Sequence, residues 1–132
     1  MAARKDPYPR TLRLFFQENL LELMLTSEYP CQILQTEDFQ SWIENIRDVK
    51  TSTRITNALD KMQRGLLGDW KEIGEGVFEM RLDFGPGYRL YYAKYQEIAI
   101  VILGGGDKNT QPRDVRNAKQ TWKELKYEIT EV

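Results

Sequence analysis

Basic side chains are grouped on a predicted β-hairpin in the second half of the chain. Arg81 and Arg89 alternate with apolar residues on two runs joined by a Gly-Pro-Gly turn, Tyr91 shares their face, and Lys108 follows the next strand. Guanidinium groups bind a phosphate through paired hydrogen bonds, and cations stabilise the charge that develops as a phosphodiester is cut. A tyrosine can add a hydrogen bond or stack on a base. The pattern therefore fits a site that cuts a phosphodiester.

The same alternation also fits a solvated sheet face. In that case Asp83 opposite Arg89 and Glu79 near Arg81 form exposed cross-strand ion pairs, each of which contributes little to stability. Alternating charges are common on a sheet with one face in water. The residues by themselves leave both interpretations open.

Composition excludes several other chemistries. The 132 residues include no histidine and one cysteine, so a Ser-His-Asp triad, a Cys-His pair and a zinc site are not expected. We expect neither a metal nor a cofactor, and any proton transfer must use Lys, Arg, Tyr, Asp or Glu. The 19 Lys and Arg residues nearly balance the 20 Asp and Glu residues. This balance argues against a broad positive field for nucleic acid but permits local basic patches.

Length and apolar patterning predict one folded domain preceded by an extension. We assign residues 1–30 to the extension and residues 31–132 to the domain. No apolar run is long enough to cross a membrane, the N-terminus lacks the features of a signal peptide, and Cys31 has no partner for a disulfide. We therefore expect a cytoplasmic protein without a membrane partner, whose mature chain is the whole chain.

Helical spacing predicts three helical regions in the first half of the chain. An amphipathic helix is expected over residues 11–25, with Leu12, Phe15, Phe16 and Leu23 on one stripe. A short extended segment from Cys31 to Gln35 then leads to Thr36, the predicted N-cap of the first of two antiparallel helices. These two helices extend to Leu66, with a break near Thr51 to Thr53. A glycine-punctuated loop follows.

The second half of the chain predicts a hairpin, a third strand and a final helix. In the hairpin a three-residue connection places Phe84 opposite Tyr88. The third strand runs from Ile98 to Leu103 and ends in a flexible exit at Gly104 to Gly106. Pro112 suits the first turn of the last helix, whose apolar stripe is Val115, Ala118, Trp122 and Leu125. The predicted fold is α+β: a small antiparallel β-sheet packed against an N-terminal two-helix hairpin and a C-terminal helix, with the extra N-terminal helix.

Five blocks of the sequence resemble one known family. They are Phe39-Gln40-Ser41-Trp42-Ile43, Arg64-Gly65-Leu66-Leu67-Gly68-Asp69-Trp70-Lys71, Gly74-Glu75-Gly76-Val77-Phe78-Glu79-Met80-Arg81, Gly85-Pro86-Gly87-Tyr88-Arg89-Leu90-Tyr91-Tyr92 and Gly104-Gly105-Gly106-Asp107-Lys108-Asn109-Thr110-Gln111. Together they resemble the addiction-module killer proteins, the HigB-like branch of the RelE/ParE superfamily of type II toxins. The resemblance covers residues 31–127 in unbroken order.

The resemblance implies a growth-inhibiting toxin, held inactive by a cognate antitoxin that often carries a helix-turn-helix DNA-binding domain. Toxins of the RelE branch enter the ribosome and cleave mRNA without a metal, using basic residues in place of histidine. By position, Arg81 and Lys108 would contact the phosphate and leaving group, Arg89 would stabilise the transition-state charge, and Tyr91 would orient them. The implied enzyme is an endoribonuclease that acts as an mRNA interferase and inhibits translation.

Two departures from the family pattern keep other functions open. Glu79 stands where well-studied members have a second basic residue, and Asp114 and Val115 stand where they have a tyrosine. Glu79 is a candidate catalytic base, or it neutralises Arg81. A ParE-like DNA gyrase inhibitor without hydrolytic activity is favoured if both arginines are neutralised and the N-terminal helices expose apolar surface. A non-toxic binding remnant is the third possibility.

The predicted N-terminal helix needs a partner for its apolar stripe. We expect that partner to be the chain's own domain or a second copy in a homodimer. The family also has members of about the length left after Met24. The resemblance therefore implies that residues 1–23 are an addition, or that the start of translation has been placed too early.

Overall fold

A mixed β-sheet with helices on both faces makes up the fold, and the computed structural model of the chain describes residues 12–14, 32–96 and 99–130. The α+β class is as predicted. In chain order the elements are β1 (Leu12–Leu14), β2 (Gln32–Thr36), α1 (Glu37–Glu44), α2 (Val49–Gln63), β3 (Asp69–Gly74), β4 (Val77–Arg81), β5 (Arg89–Tyr95), β6 (Ala99–Gly106), a 3₁₀ turn (Lys108–Thr110) and α3 (Gln111–Thr130).

The strand order in the sheet is β1-β2-β6-β5-β4-β3. All neighbouring strands are antiparallel except β2 and β6, which are parallel. The prediction of a purely antiparallel sheet is therefore wrong at this pair. All five residues of β2 are buried, as expected of an interior strand, but its direction depends on a pairing with β6 that lies more than sixty residues away.

The start of α1 is as predicted. The Thr36 hydroxyl accepts a hydrogen bond of 3.2 Å from the backbone N–H of Phe39, and two acidic residues lie in the first turn. The break between α1 and α2 falls at residues 45–48, so its prediction near Thr51 to Thr53 is wrong. Thr51 lies in the first turn of α2, where its hydroxyl donates to Asp48 at 2.7 Å and the local pattern remains helical.

The predicted loop before the hairpin contains a strand, β3, which forms one edge of the sheet among the described residues. The hairpin of β4 and β5 has a different register from the prediction: Arg81 pairs with Arg89, and Met80 pairs with Leu90. The shift is two residues, so every side chain keeps its predicted face. The connection spans residues 82–88 instead of three residues; within it the Leu82 N–H donates to the Tyr88 carbonyl at 2.9 Å, and Phe84 packs against Tyr88.

The glycine run after the third strand is not a flexible exit, because β6 continues through Gly106. Gly104, Gly105 and Gly106 pair with the first residues of β5. A Cβ on Gly105 would collide with the ring of Trp42, and one on Gly106 would collide with Asp114. Glycine is needed here because α1 and the start of α3 approach the strand closely from opposite faces.

Two apolar layers pack against the sheet. On one face, α1 and α2 cover a cluster that includes Phe39, Ile55 and Tyr92. On the other face α3 packs its predicted stripe, with Ala118, Trp122 and Leu125 buried and Val115 partly buried. No helix within the described ranges is long and apolar enough to cross a membrane.

The prediction of a helix over residues 11–25 is wrong at Leu12–Leu14, which form β1 and pair antiparallel with β2. Leucines on either side of Arg13 also fit the two-residue period of a strand, which the helical interpretation overlooked. The rest of that predicted helix, the homodimer contact assigned to it and Cys31 lie outside the described residues.

Candidate functional site

Two rows of polar side chains cross the face of the sheet on which α3 packs. Direct cross-strand pairing places Asp69, Arg81 and Arg89 in one row. The next row on the same face holds Lys71, Glu79 and Tyr91. Because paired residues project to the same side of a sheet, these six side chains form one cluster. Four of the five predicted site residues, namely Arg81, Arg89, Tyr91 and Glu79, are thus brought together.

Arg81 and Arg89 are direct cross-strand partners in β4 and β5. Like charges at such positions are destabilising, since their Cβ atoms lie about 5 Å apart. Each arginine has an acidic neighbour that offsets this repulsion. Arg81 Nε donates to Asp69 Oδ2 at 3.1 Å, and Arg89 Nε lies 3.4 Å from Glu79 Oε1.

Glu79 is the centre of the cluster and is fully buried. Its carboxylate lies 3.4 Å from Arg89 Nε and 3.4 Å from Lys71 Nζ, and it accepts a hydrogen bond of 2.7 Å from Gln111 Nε2. The expected neutralisation of Arg81 by Glu79 is therefore wrong, because the register pairs Arg81 with Asp69 instead. A buried charge needs such partners. The contact with Glu79 in turn fixes the position of Arg89.

Tyr91 is buried beneath α3, in the same apolar cluster as Trp122. Burial, followed by the nearby carboxylate of Glu79, raises the pKa of the Tyr91 phenol well above its ordinary value. The phenol therefore stays protonated at neutral pH. The expectation of a solvated polar face is wrong here, since α3 covers the sheet at Tyr91 and Glu79.

Arg81 and Lys71 are the exposed cations of this cluster, and Lys108 lies exposed next to it. The side chain of Arg81 is 57% exposed, and Lys108 is exposed in the 3₁₀ turn after β6. Arg89 Nη1 and Lys108 Cβ each lie 3.4 Å from where a Cβ on Gly87 would stand, so both residues border this glycine. Arg89 Nη1 also donates to the Gly87 carbonyl at 2.8 Å. The predicted trio of Arg81, Arg89 and Lys108 thus lies around one end of the hairpin.

Sequence reasoning missed Lys71 and Gln111, the two other partners of Glu79. Lys71 alternates with Asp69 on a run that was interpreted as a loop, and this two-residue period was the available signal. Gln111 lies at the start of α3, and no local pattern links it to Glu79. Across the described ranges, no group of three or more His, Cys, Asp or Glu side chains could hold a metal ion.

An apolar groove of about 740 Å³ lies beside the site, between α2 and the β4–β5 connection. Leu66, Leu67, Met80, Leu82 and Phe84 provide its apolar surface. Arg54, Lys61 and Arg81 also line it, with Asp83 as the acidic residue among the lining side chains. We call this feature the α2 groove; it joins apolar surface to positive charge.

Together these features define a small α+β domain with a basic cluster built around a buried glutamate. No protein-family model matches the chain. A Haemophilus influenzae protein, named "Uncharacterized protein", is 36% identical over 94 residues, which cover 71% of this chain and 95% of the relative. The chain belongs to the same family as this protein.

Proposed function

We propose that the chain is the toxin of a type II toxin-antitoxin system and cleaves mRNA on the ribosome. The observation that carries the proposal is the cross-strand pair of Arg81 and Arg89, with Lys108 beside Arg89. Like charges at such positions repel, and an anion bound at the exposed Arg81 and Lys108 would add a further counter-charge to those of Asp69 and Glu79. The resemblance to the addiction-module killer proteins supplies the reaction class.

In the proposed reaction, the exposed cations Arg81 and Lys108 contact the scissile phosphate and the leaving group. Arg89 is buried and held by Glu79, so its guanidinium adds a fixed positive charge for the transition state. Glu79 acts as a positioning residue, because its burial and its three partners keep it from substrate. Tyr91, buried beneath α3 next to Glu79, helps to hold the same cluster in place. This activity would place the protein in the cytoplasm with the ribosomes.

One set of contacts favours a second candidate, a ParE-like DNA gyrase inhibitor that binds without hydrolysis. Both arginines already have a carboxylate partner, Asp69 for Arg81 and Glu79 for Arg89. The α2 groove adds apolar surface next to them, partly contributed by a helix of the N-terminal pair. These are the two features expected of a toxin that only binds its target.

The α2 groove also suits the cognate antitoxin. We propose that it receives an antitoxin segment with apolar side chains and acidic neighbours, because the cations that line the groove outnumber its one acid. Leu66 is 59% exposed at the groove and would be covered by this segment. An antitoxin bound there would also lie against Arg81.

The proposal can be tested by inducing the chain without its antitoxin. Growth and mRNA integrity are followed for the natural chain, Arg81→Ala and Lys108→Ala, since both side chains are exposed and their loss should leave the fold intact. Arg47→Ala is the matched control, because Arg47 is an exposed arginine between α1 and α2. We expect arrested growth and cut messages, with relief in the two site variants and not in the control. Arrest with intact mRNA would instead favour the gyrase inhibitor.

A further inference from the structure

Helix α3 carries four of its five cations on one side, an arrangement that the proposed site does not explain; the fifth cation, Arg113, pairs with Asp114. Arg116, Lys119, Lys123 and Lys126 follow one another at intervals of three and four residues, so they form one stripe. Asp114 and Glu124 lie on the opposite side of the apolar stripe that α3 buries. The basic stripe runs over the eleven residues from Arg116 to Lys126, or about 15 Å of helix. A stripe of four cations within a chain of net charge −1 is a candidate surface for an anion.

The basic stripe is continuous with the candidate site. Gln111 holds the start of α3 against Glu79, and Trp122 Nε1 lies 3.1 Å from where a Cβ on Gly76 would stand. The helix therefore runs from the site towards the β3–β4 turn. Lys119 Nζ approaches that turn from the stripe and lies 3.8 Å from Glu75 Oε2. Lys71 of the site lies on β3, the strand that leads into this turn.

A cleft and an aromatic ring accompany these cations. The cleft, about 430 Å³, is lined by the four basic residues of the stripe together with Glu75, Gln120 and Tyr127. Tyr127 is 62% exposed and lines the cleft beside these cations, so its ring is accessible from solvent. Cations that follow a backbone and an aromatic ring that stacks on a base are the combination used to bind single-stranded nucleic acid.

We infer that the α3 stripe binds the backbone of single-stranded RNA that extends from the Arg81 site, with Tyr127 stacking on a base. The choice of RNA rests on the proposed function, while the polyanion site rests on the stripe and the cleft. The stripe thus adds affinity along the message, away from the bond that is cut. It gives a nearly neutral chain a local basic track towards its substrate.

The test is a fluorescence-anisotropy titration of the full chain with a labelled twelve-nucleotide oligouridylate, without ribosomes, at several salt concentrations. The stripe variant is Arg116→Gln with Lys123→Gln, and Tyr127→Ala is made separately. The control, Arg47→Gln with Lys50→Gln, removes the same charge from exposed positions near the start of α2. Each phosphate contact contributes about 0.7 to the slope of log affinity against log salt. We expect the stripe variant to lower the slope by about 1.4 and the control to leave it unchanged.

The other outcomes separate this inference from the proposed function. Unchanged affinity and slope in the stripe variant would overturn the inference, even if Arg81→Ala abolished toxicity. A lost slope in the stripe variant, together with full toxicity of Arg81→Ala, would keep the RNA surface and refute the proposed cleavage site. If polyglutamate competed as well as RNA and Tyr127→Ala bound normally, the stripe would be a site for an acidic protein, which contradicts the inference.

Discussion

At the scale of single residues, Glu79 controls the arrangement of the site. It is fully buried, and it joins β4 to Arg89 of β5, Lys71 of β3 and Gln111 of α3. The loss of one partner from a buried ion pair is costly because the other charge stays buried without compensation. Arg89, with a side chain only 10% exposed, is in that position. The shape of the site should therefore depend on a residue that never touches substrate.

Replacement of this carboxylate should reduce stability strongly. We expect Glu79→Gln to lower the free energy of unfolding by about 3 kcal/mol, because Arg89 then lies buried without a counter-charge. Urea denaturation followed by circular dichroism measures the change. Asp69→Asn is the matched control, since its ion pair with Arg81 is exposed and should contribute less than about 1 kcal/mol. Equal losses in the two variants would contradict the central position given to Glu79.

A second residue-scale prediction concerns Tyr92 in the layer beneath α1 and α2. Burial raises the pKa of Tyr92 to about 12, from an ordinary value near 10. The unfolded chain therefore loses this proton first as the pH rises. The contribution of the neutral Tyr92 phenol to the free energy of unfolding is complete below pH 10 and is lost as the pH rises towards 12.

Tyr92→Phe should remove the part of the loss of stability at alkaline pH that is due to Tyr92. Its stability at pH 7 should equal or exceed that of the natural chain, because the buried Tyr92 hydroxyl has no hydrogen-bond partner among the described residues. Unfolding free energies measured from pH 8 to pH 12 test both parts. An unchanged decline in the variant would show that other groups cause it.

At the scale of elements, the glycine run of β6 lets two helices approach the sheet at the site. We expect Gly105→Ala to destabilise the fold by about 2 kcal/mol, because the added Cβ would overlap the ring of Trp42. Gly104→Ala is the control, since nothing lies within 4 Å of its added Cβ. Thermal unfolding of the two variants measures the difference. If Gly104→Ala is the more destabilised of the two, the close approach of α1 does not explain the glycine.

Local patterns in the sequence predicted most of the elements that position the site. The period of two placed Arg81, Arg89 and Tyr91 on one face, and the apolar stripe of α3 appeared as expected. The predicted register was wrong by two residues because registers that differ by two residues keep every side chain on the same face, so alternation cannot distinguish them. The contact between Gln111 and Glu79 could not be predicted because the two residues lie far apart in the chain. Contacts between distant elements have no local pattern.

At the scale of the whole molecule, the two faces of the sheet have different proposed functions. The α3 face carries the basic cluster, and the opposite face carries α2, which lines the groove proposed for the antitoxin. Arg81 lines that groove and also belongs to the cluster. Occupation of the groove would therefore block the site directly, without any change in shape.

Disruption of the groove should release toxicity from control by the antitoxin. With the antitoxin co-expressed, we expect Leu66→Glu to arrest growth, because a carboxylate would repel the acidic segment and disturb the apolar contact. Val49→Glu is the matched control: Val49 is 74% exposed and lies outside the groove. Growth curves with and without antitoxin measure the effect. Full neutralisation of Leu66→Glu would place the antitoxin elsewhere.

The most direct test of the central claim maps the 5′ ends of a reporter message in a purified translation system that contains the chain. The message is compared with an otherwise identical one that lacks its start codon, and the natural chain is compared with Arg81→Ala. We predict new ends within the coding region only on the translated message and only with the natural chain. Equal cleavage of both messages, or full cleavage by Arg81→Ala, would contradict a ribosome-dependent site built on the paired arginines.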